Sequence, residues 1–130
     1  MYVCMYTFRV NEHIRTNQSL PPIKYIHIHE CDKFCLRIFC MSPSSIIPLH
    51  NHPRIIVFSK LLYVSMHAKA YGQPAKLVKD GMMTGPIGTP ILFPTCDGNI
   101  HYFHVMKPCA IFDILSPSYS SDDMRHYMYF

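Results

Sequence analysis

The chain is poor in charge and has no long apolar run. Only 15% of its 130 residues are charged, and the formal net charge of +4 comes from Lys and Arg scattered singly. Tracking a phosphate backbone takes a basic run or stripe, so no direct contact with nucleic acid is expected. The longest apolar stretch, Ile55 to Met66, is interrupted by Lys60 and is too short to cross a bilayer, which argues against a membrane span. Tyr2 to Phe8 is apolar but lacks a basic leader and a small-residue cleavage site. A secretory signal is therefore not expected, and the expected location is cytoplasmic or nuclear. The six cysteines, Cys4, Cys31, Cys35, Cys40, Cys96 and Cys109, contain no CxxC pair, so reduced thiols are expected rather than disulfides. With 49% apolar residues and no low-complexity tract or repeat, the chain reads as globular. One domain is expected over residues 21–130, as a monomer, and residues 1–20 are left unassigned for want of a clear period.

Eleven prolines spread along the chain leave few windows for a helix, because an interior proline removes a donor and clashes with the preceding turn. Turn signals recur from residue 72: Gly72 to Pro74, Asp80-Gly81, Pro86 to Gly88, Asp97 to Asn99, Lys107-Pro108 and Ser116 to Ser118. Between them lie β-branched and aromatic runs such as 55–58, 91–93 and 111–115. Short strands between turns at about 8–12 residue spacing suit an antiparallel sandwich or barrel, and the expected fold class is all-β. The clearest alternation predicts one strand over 62–71. Leu62, Val64, Met66, Ala68 and Ala70 fall on one face, and Tyr63, Ser65, His67, Lys69 and Tyr71 on the other. Residues 34–41 read as a nearly continuous apolar strand, preceded by Ile26 and Ile28, taken as a buried face, alternating with His27 and His29.

Nine histidines are the compositional anomaly. In Pro48-Leu49-His50-Asn51-His52-Pro53 two imidazoles sit at i and i+2, which on a strand share a face and can share a metal. An HxH pair alone is a weak signal. A second segment strengthens it: Gly88, Pro94, Gly98 and His101 give a glycine, a proline, a glycine and then a histidine on the next strand. There His101 shares a face with Phe103 and Val105, which favours it as the inward residue, while His104 goes with Tyr102 and Met106. His27 and His29 lack a matching third ligand, and His67, on the wetter face, is read as a non-ligand, as are His13 and His126 near the ends. A zinc site from His27, His29, Cys31 and Cys35 remains an alternative on ligand type, although four donors within nine residues of extended chain do not readily reach a tetrahedron.

These two segments resemble the paired metal motifs of the cupins. The resemblance sharpens to the plant cysteine oxidases and their animal relative, 2-aminoethanethiol dioxygenase. It runs through Tyr25 to Phe34, Ile38-Phe39-Cys40, Ile46 to Pro53, Val57 to Leu62, Ala75 to Val78, Gly98 to His101 and Asp113-Ile114-Leu115. It implies a cupin double-stranded β-helix, a jelly-roll barrel shortened at both ends. It also implies one Fe(II) per chain on His50, His52 and His101, and addition of both atoms of O2 to a thiol. The substrates so implied are proteins or peptides with an N-terminal cysteine, notably ethylene-response transcription factors, which links the activity to oxygen sensing. By the same resemblance Asp113 and Tyr119 line the pocket. Asp113, in an apolar run, must be paired wherever it is buried, either to orient a ligand histidine or to bind the substrate amine. Arg54 and Tyr127 stand where the family has a glycine and a cysteine, and the family tryptophan after Tyr71 is missing. A long cation two residues from His52 is expected to hinder a substrate that arrives with an ammonium group. The alternative reading is a catalytically impaired or non-enzymatic metal-binding cupin domain.

Overall fold

Alternating β-branched, aromatic and polar side chains favour extended chain, and the computed structural model folds accordingly. It describes residues 4–8, 23–72, 76–86, 91–92, 99–120, 122–123 and 128–129. Among these residues the elements are strands only: β1 (Cys4–Phe8), β2 (Ile23–Glu30), β3 (Cys35–Met41), β4 (Ile46–Asn51), β5 (Ile56–Tyr63), β6 (Ser65–Gly72), β7 (Lys76–Thr84), β8 (Ile91–Leu92), β9 (Ile100–Val105), β10 (Cys109–Ser116) and β11 (Met128–Tyr129). They form two antiparallel sheets, ordered β1-β2-β3-β10-β5-β8 and β11-β4-β9-β6-β7. Neighbours that are distant in sequence, such as β3 beside β10 and β4 beside β9, make this an all-β jelly-roll topology.

Both sheets contribute to one core. Ile23, Met41, Leu61, Cys109 and Ile111 from the first meet Ile47, Met66, Ala68, Phe103 and Val105 from the second. Each large aliphatic side chain buried there stabilises the fold by about 1.5–3 kcal/mol. A smaller cluster, Cys35, Ile55, Val57 and Leu115, packs with Tyr119. Cys31, Cys35, Cys40 and Cys109 are free thiols.

Four local expectations are corrected. The alternation over 62–71 spans a corner: Val64 adopts φ 64°, its carbonyl accepts the Gly85 N–H at 2.7 Å, and β5 ends at Tyr63 while β6 starts at Ser65. Met66, Ala68 and Ala70 are buried, but Leu62 and Val64 are 36% and 38% exposed, because the corner separates them from the β6 face. Asp80-Gly81 is no turn but lies inside β7, paired with Lys69 and Ala68. Ile26 and Ile28 are only half-buried; the buried residue of β2 is Ile23, Tyr25 and His27 on its face lie opposite Phe39 and Arg37 of β3, and a register shift between His27 and His29 ends that alternation. Finally, Cys4–Phe8 in the unassigned N-terminal segment is a strand paired with β2. His13, Gly88, Pro94, Cys96, Gly98, His126 and Tyr127 lie outside the described residues.

Candidate metal centre

His50 is brought inward by an irregularity in β4. Pairing with β9 slips between Ile47 and His50, so that after buried Ile47 the inward positions become Pro48 and His50, with Leu49 half-buried between them. His50 lies directly opposite His101 on β9. His52 follows the end of β4, and its backbone N–H donates to Asn99 Oδ1 at 3.1 Å, tying it to the segment that carries His101. The three rings gather with centroids 4.2 to 5.2 Å apart. One nitrogen from each lies within 4.8 Å of the others.

Hydrogen bonding orients the donor set. His50 Nδ1 donates to the Pro48 carbonyl at 2.8 Å and His101 Nδ1 to the Asn99 carbonyl at 2.9 Å; a carbonyl only accepts, so in the neutral form of each ring the proton sits on Nδ1 and Nε2 is free. His52 Nδ1 lies 2.8 Å from the Tyr119 hydroxyl. Burial lowers the pKa of His50, against the opposing pull of the Pro48 carbonyl. Burial also brings His52 down to about 2, helped by the neighbouring His50, His101 and Arg37. Neutral imidazoles with engaged Nδ1 atoms are what a divalent metal ion needs, so the residues fit a three-histidine metal site.

The other described histidines lie elsewhere. His67 pairs with Asp80 at 2.7 Å, His27 with Glu30 at 3.8 Å, and His29 packs on the Phe34 ring. Half-buried His104 is opposite His67. Among the described residues, His50, His52 and His101 are the one group of three or more potential ligands close enough for an ion. The set His27, His29, Cys31 and Cys35 is not assembled.

Asp113 lies on β10 opposite Ser59 of β5, whose hydroxyl donates to Asp113 Oδ1 at 2.6 Å. Desolvation pushes the carboxyl up to about 6, with Ser59 and the Arg37 cation opposing. On its other side Asp113 faces Arg37 of β3. The Arg37 guanidinium lies over the Tyr119 ring, 4.8 Å from its centroid. The second wall therefore carries Ser59, Asp113, Arg37 and Tyr119, of which Ser59 and Arg37 were missed in the sequence. Arg37 is marked in sequence as the lone charged residue of an otherwise apolar strand; Ser59, beside Lys60, carries no such mark.

Asn99 was legible only as a turn residue, yet it holds two ligands at once. Asn99→Ala leaves the buried His52 N–H unpaired and is expected to weaken metal binding about 10–100-fold. Competition with a fluorescent chelator measures this; unchanged affinity would show that the turn holds its shape without the side chain.

Arg54 departs from expectation. It adopts φ 60°, and its exposed guanidinium donates to the Asp123 carbonyl at 3.5 Å. A cation there is screened by water; the cation whose field reaches His52 is Arg37. The left-handed backbone costs a side-chain-bearing residue about 1–2 kcal/mol, and the greater entropy loss of glycine returns about 0.5–1 kcal/mol of that. Arg54→Gly is thus expected to raise stability by up to about 1 kcal/mol, read from urea midpoints, with no salt-dependent gain in turnover. A lower midpoint would mean that the Asp123 contact outweighs the backbone term.

Comparison with known proteins matches this arrangement. The family model PCO_ADO covers residues 3–130. Plant cysteine oxidase 1 of Arabidopsis thaliana is 43% identical over 135 residues, covering 95% of this chain and 46% of that protein. Human 2-aminoethanethiol dioxygenase is 30% identical, covering 86% of this chain and 53% of its own length. The chain thus spans about half the length of the curated relatives it matches. A solved RmlC-like cupin from Shewanella frigidimarina superposes with a TM-score of 0.61 at 15% identity, over 78% of this chain and 81% of that one, which fixes the fold as a cupin. A cupin barrel with three inward histidines, matched along nearly its whole length by one family model, makes this chain a member of the PCO_ADO family.

Proposed function

We infer that the protein is a thiol dioxygenase acting on the N-terminal cysteine of proteins or peptides. The observation that carries the reading is a buried three-histidine cluster in a chain of this family. One Fe(II) per chain, held by His50, His52 and His101, would supply the activation of O2. The net reaction balances without a further reductant: a thiolate and O2 give a sulfinate, the sulfur losing the four electrons that O2 gains. Three neutral ligands leave the ion its full charge, which favours an anionic thiolate beside it.

The chain's own residues prepare the pocket. Asp113, mostly ionised at neutral pH, is placed to hold the substrate ammonium, and Ser59 fixes its orientation. The Tyr119 hydroxyl lies 2.8 Å from His52 Nδ1; when it accepts from that nitrogen, Nε2 of the neutral ring is left free for the ion. The reading extends to ethylene-response transcription factors as protein substrates and to oxygen sensing in the cytoplasm or nucleus, by family resemblance. The test is anaerobic loading with Fe(II), then exposure of a cysteine-initiated peptide to air. Mass spectrometry should find two added oxygen atoms, and little reaction of the same peptide with its amine acetylated. No mass gain on the free-amine peptide, with iron bound, would refute the activity; equal turnover of both peptides would refute the role of the amine.

A further inference from the structure

The outer faces of the two sheets differ in kind. On the second sheet His67 and Lys69 of β6 lie opposite His104 and Tyr102 of β9, and Asp80 of β7 lies opposite Lys69, a polar surface of the sort that faces water. On the first sheet the registers align two apolar rows, Ile26 with Ile38 and Phe112, then Leu36 with Ile114 and Phe58. These six alternate with the inward residues of their strands, so they point away from the core, and each is only half-buried. Tyr63, 49% exposed and opposite Ala110, continues the patch. A sheet that is apolar on both faces is ordinarily covered on both. Among the described residues the second sheet covers the inner face, and no element is stacked on the outer one.

The charged side chains that the register places on this outer face are Lys24, opposite Cys40, and Lys60, opposite Phe112, at opposite sides of the patch. Its centre carries no charge. Four strands about 4.8 Å apart, with about seven residues each at roughly 3.3 Å, give a flat footprint of about 440 Å². Side-chain relief and the rim raise that toward the roughly 600–800 Å² per partner of a small but specific interface. We propose that this face is the interface of a two-fold dimer, its occupant a second copy of this chain, where the sequence led to the expectation of a monomer. A flat apolar sheet face is self-complementary: two copies stack about 10 Å apart at an angle of about 30°, as the two sheets of a sandwich do, and the lysines stay at the rim. A modest area and two chains of like charge make the dimer weak and strengthened by salt. The metal centre lies between the sheets, so the dimer forms whatever that centre catalyses.

Sedimentation equilibrium of the full chain over about 5–500 µM should find monomer and dimer in equilibrium with a Kd of about 10–100 µM, tightening several-fold between about 50 and 500 mM NaCl. Ile38→Lys and Phe112→Glu each set two like charges in the interface and should weaken association about 30-fold or more, while a mixture of the two variants should associate again. Tyr102→Glu, on the outer face of the second sheet, should leave Kd unchanged. Retained metal binding at the three histidines reports an intact fold; if either charged variant loses it, Ile38→Thr, which keeps a β-branched side chain, takes its place with an expected loss of about tenfold. Wild type that stays monomeric at about 500 µM overturns the proposal, whether the face then takes a different protein or a lipid surface, the latter read by co-sedimentation with phosphatidylcholine vesicles. Association that the substitutions at Ile38 and Phe112 leave unchanged, or that Tyr102→Glu disrupts equally, overturns it as well by placing the contact elsewhere.

Discussion

Alanine at any one of His50, His52 or His101 is expected to remove stoichiometric metal, whereas His67→Ala and His104→Ala retain it. The three rings converge from β4, the turn after it, and β9, and each has its Nδ1 engaged, so no other described histidine is placed to substitute. Losing one of three ligands costs about 3 kcal/mol or more of binding, roughly 10²–10³-fold, enough to strip the ion on dialysis. Metal analysis after dialysis checks it. Metal retained in His52→Ala, or lost equally in His67→Ala, would mean that the site lies elsewhere. The same residues predict an acid sensitivity of the metal-free protein. Folded His50 and His52 have pKa values below the ordinary 6.5, so the unfolded chain binds more protons as pH falls below that value. Each such histidine then costs about 1.4 kcal/mol of stability per pH unit, and bound metal should flatten the slope by excluding protons from both.

The fold and the convergence of His50, His52 and His101 were legible because they rest on local patterns. Prolines excluded helices, turn residues bounded short strands, and the alternation beside His101 identified its inward face; Phe103 and Val105 are indeed buried with it. What escaped depends on pairings between distant strands. The corner at Val64 was hidden because a β-branched residue occupies a left-handed conformation that usually announces itself as glycine. The face of β2 was misjudged because pairing with β3 sets Tyr25 and His27 opposite Phe39 and Arg37, on the side of buried Ile23, and the shift after His27 breaks the parity at Ile28. Asp80 resembled a turn residue, yet it sits mid-strand with His67 2.7 Å and Lys69 3.5 Å away. Arg37 and Ser59 passed unnoticed because nothing within their own strands marks them; the registers of β3, β10 and β5 set Arg37, Asp113 and Ser59 in one row.

Asp113→Asn should make the protein more stable and less active. The Asp113 carboxyl titrates at about 6 in the folded chain against 3.8 ordinarily, chiefly because burial disfavours its charge. Since the folded value is the higher one, the folded state holds the extra proton between the two. Stability from this group is therefore complete below pH 4 and is lost as pH rises through 6. By pH 8 the ionised carboxylate costs about 3 kcal/mol relative to the unfolded chain. Asparagine keeps the shape and an oxygen to accept from Ser59 but carries no charge, so about 1–3 kcal/mol of stability should be gained at pH 8 and almost none at pH 4. If Asp113 holds the substrate ammonium as proposed, the same change removes a charge-assisted contact, and kcat/KM for a cysteine-initiated peptide should fall about 10–100-fold. Denaturant midpoints at the two pH values, with peptide turnover at matched iron content, test both halves. A stability gain independent of pH would point to packing rather than to a desolvated charge. Undiminished turnover would remove Asp113 from substrate binding and leave it a buried carboxylate tied to Ser59.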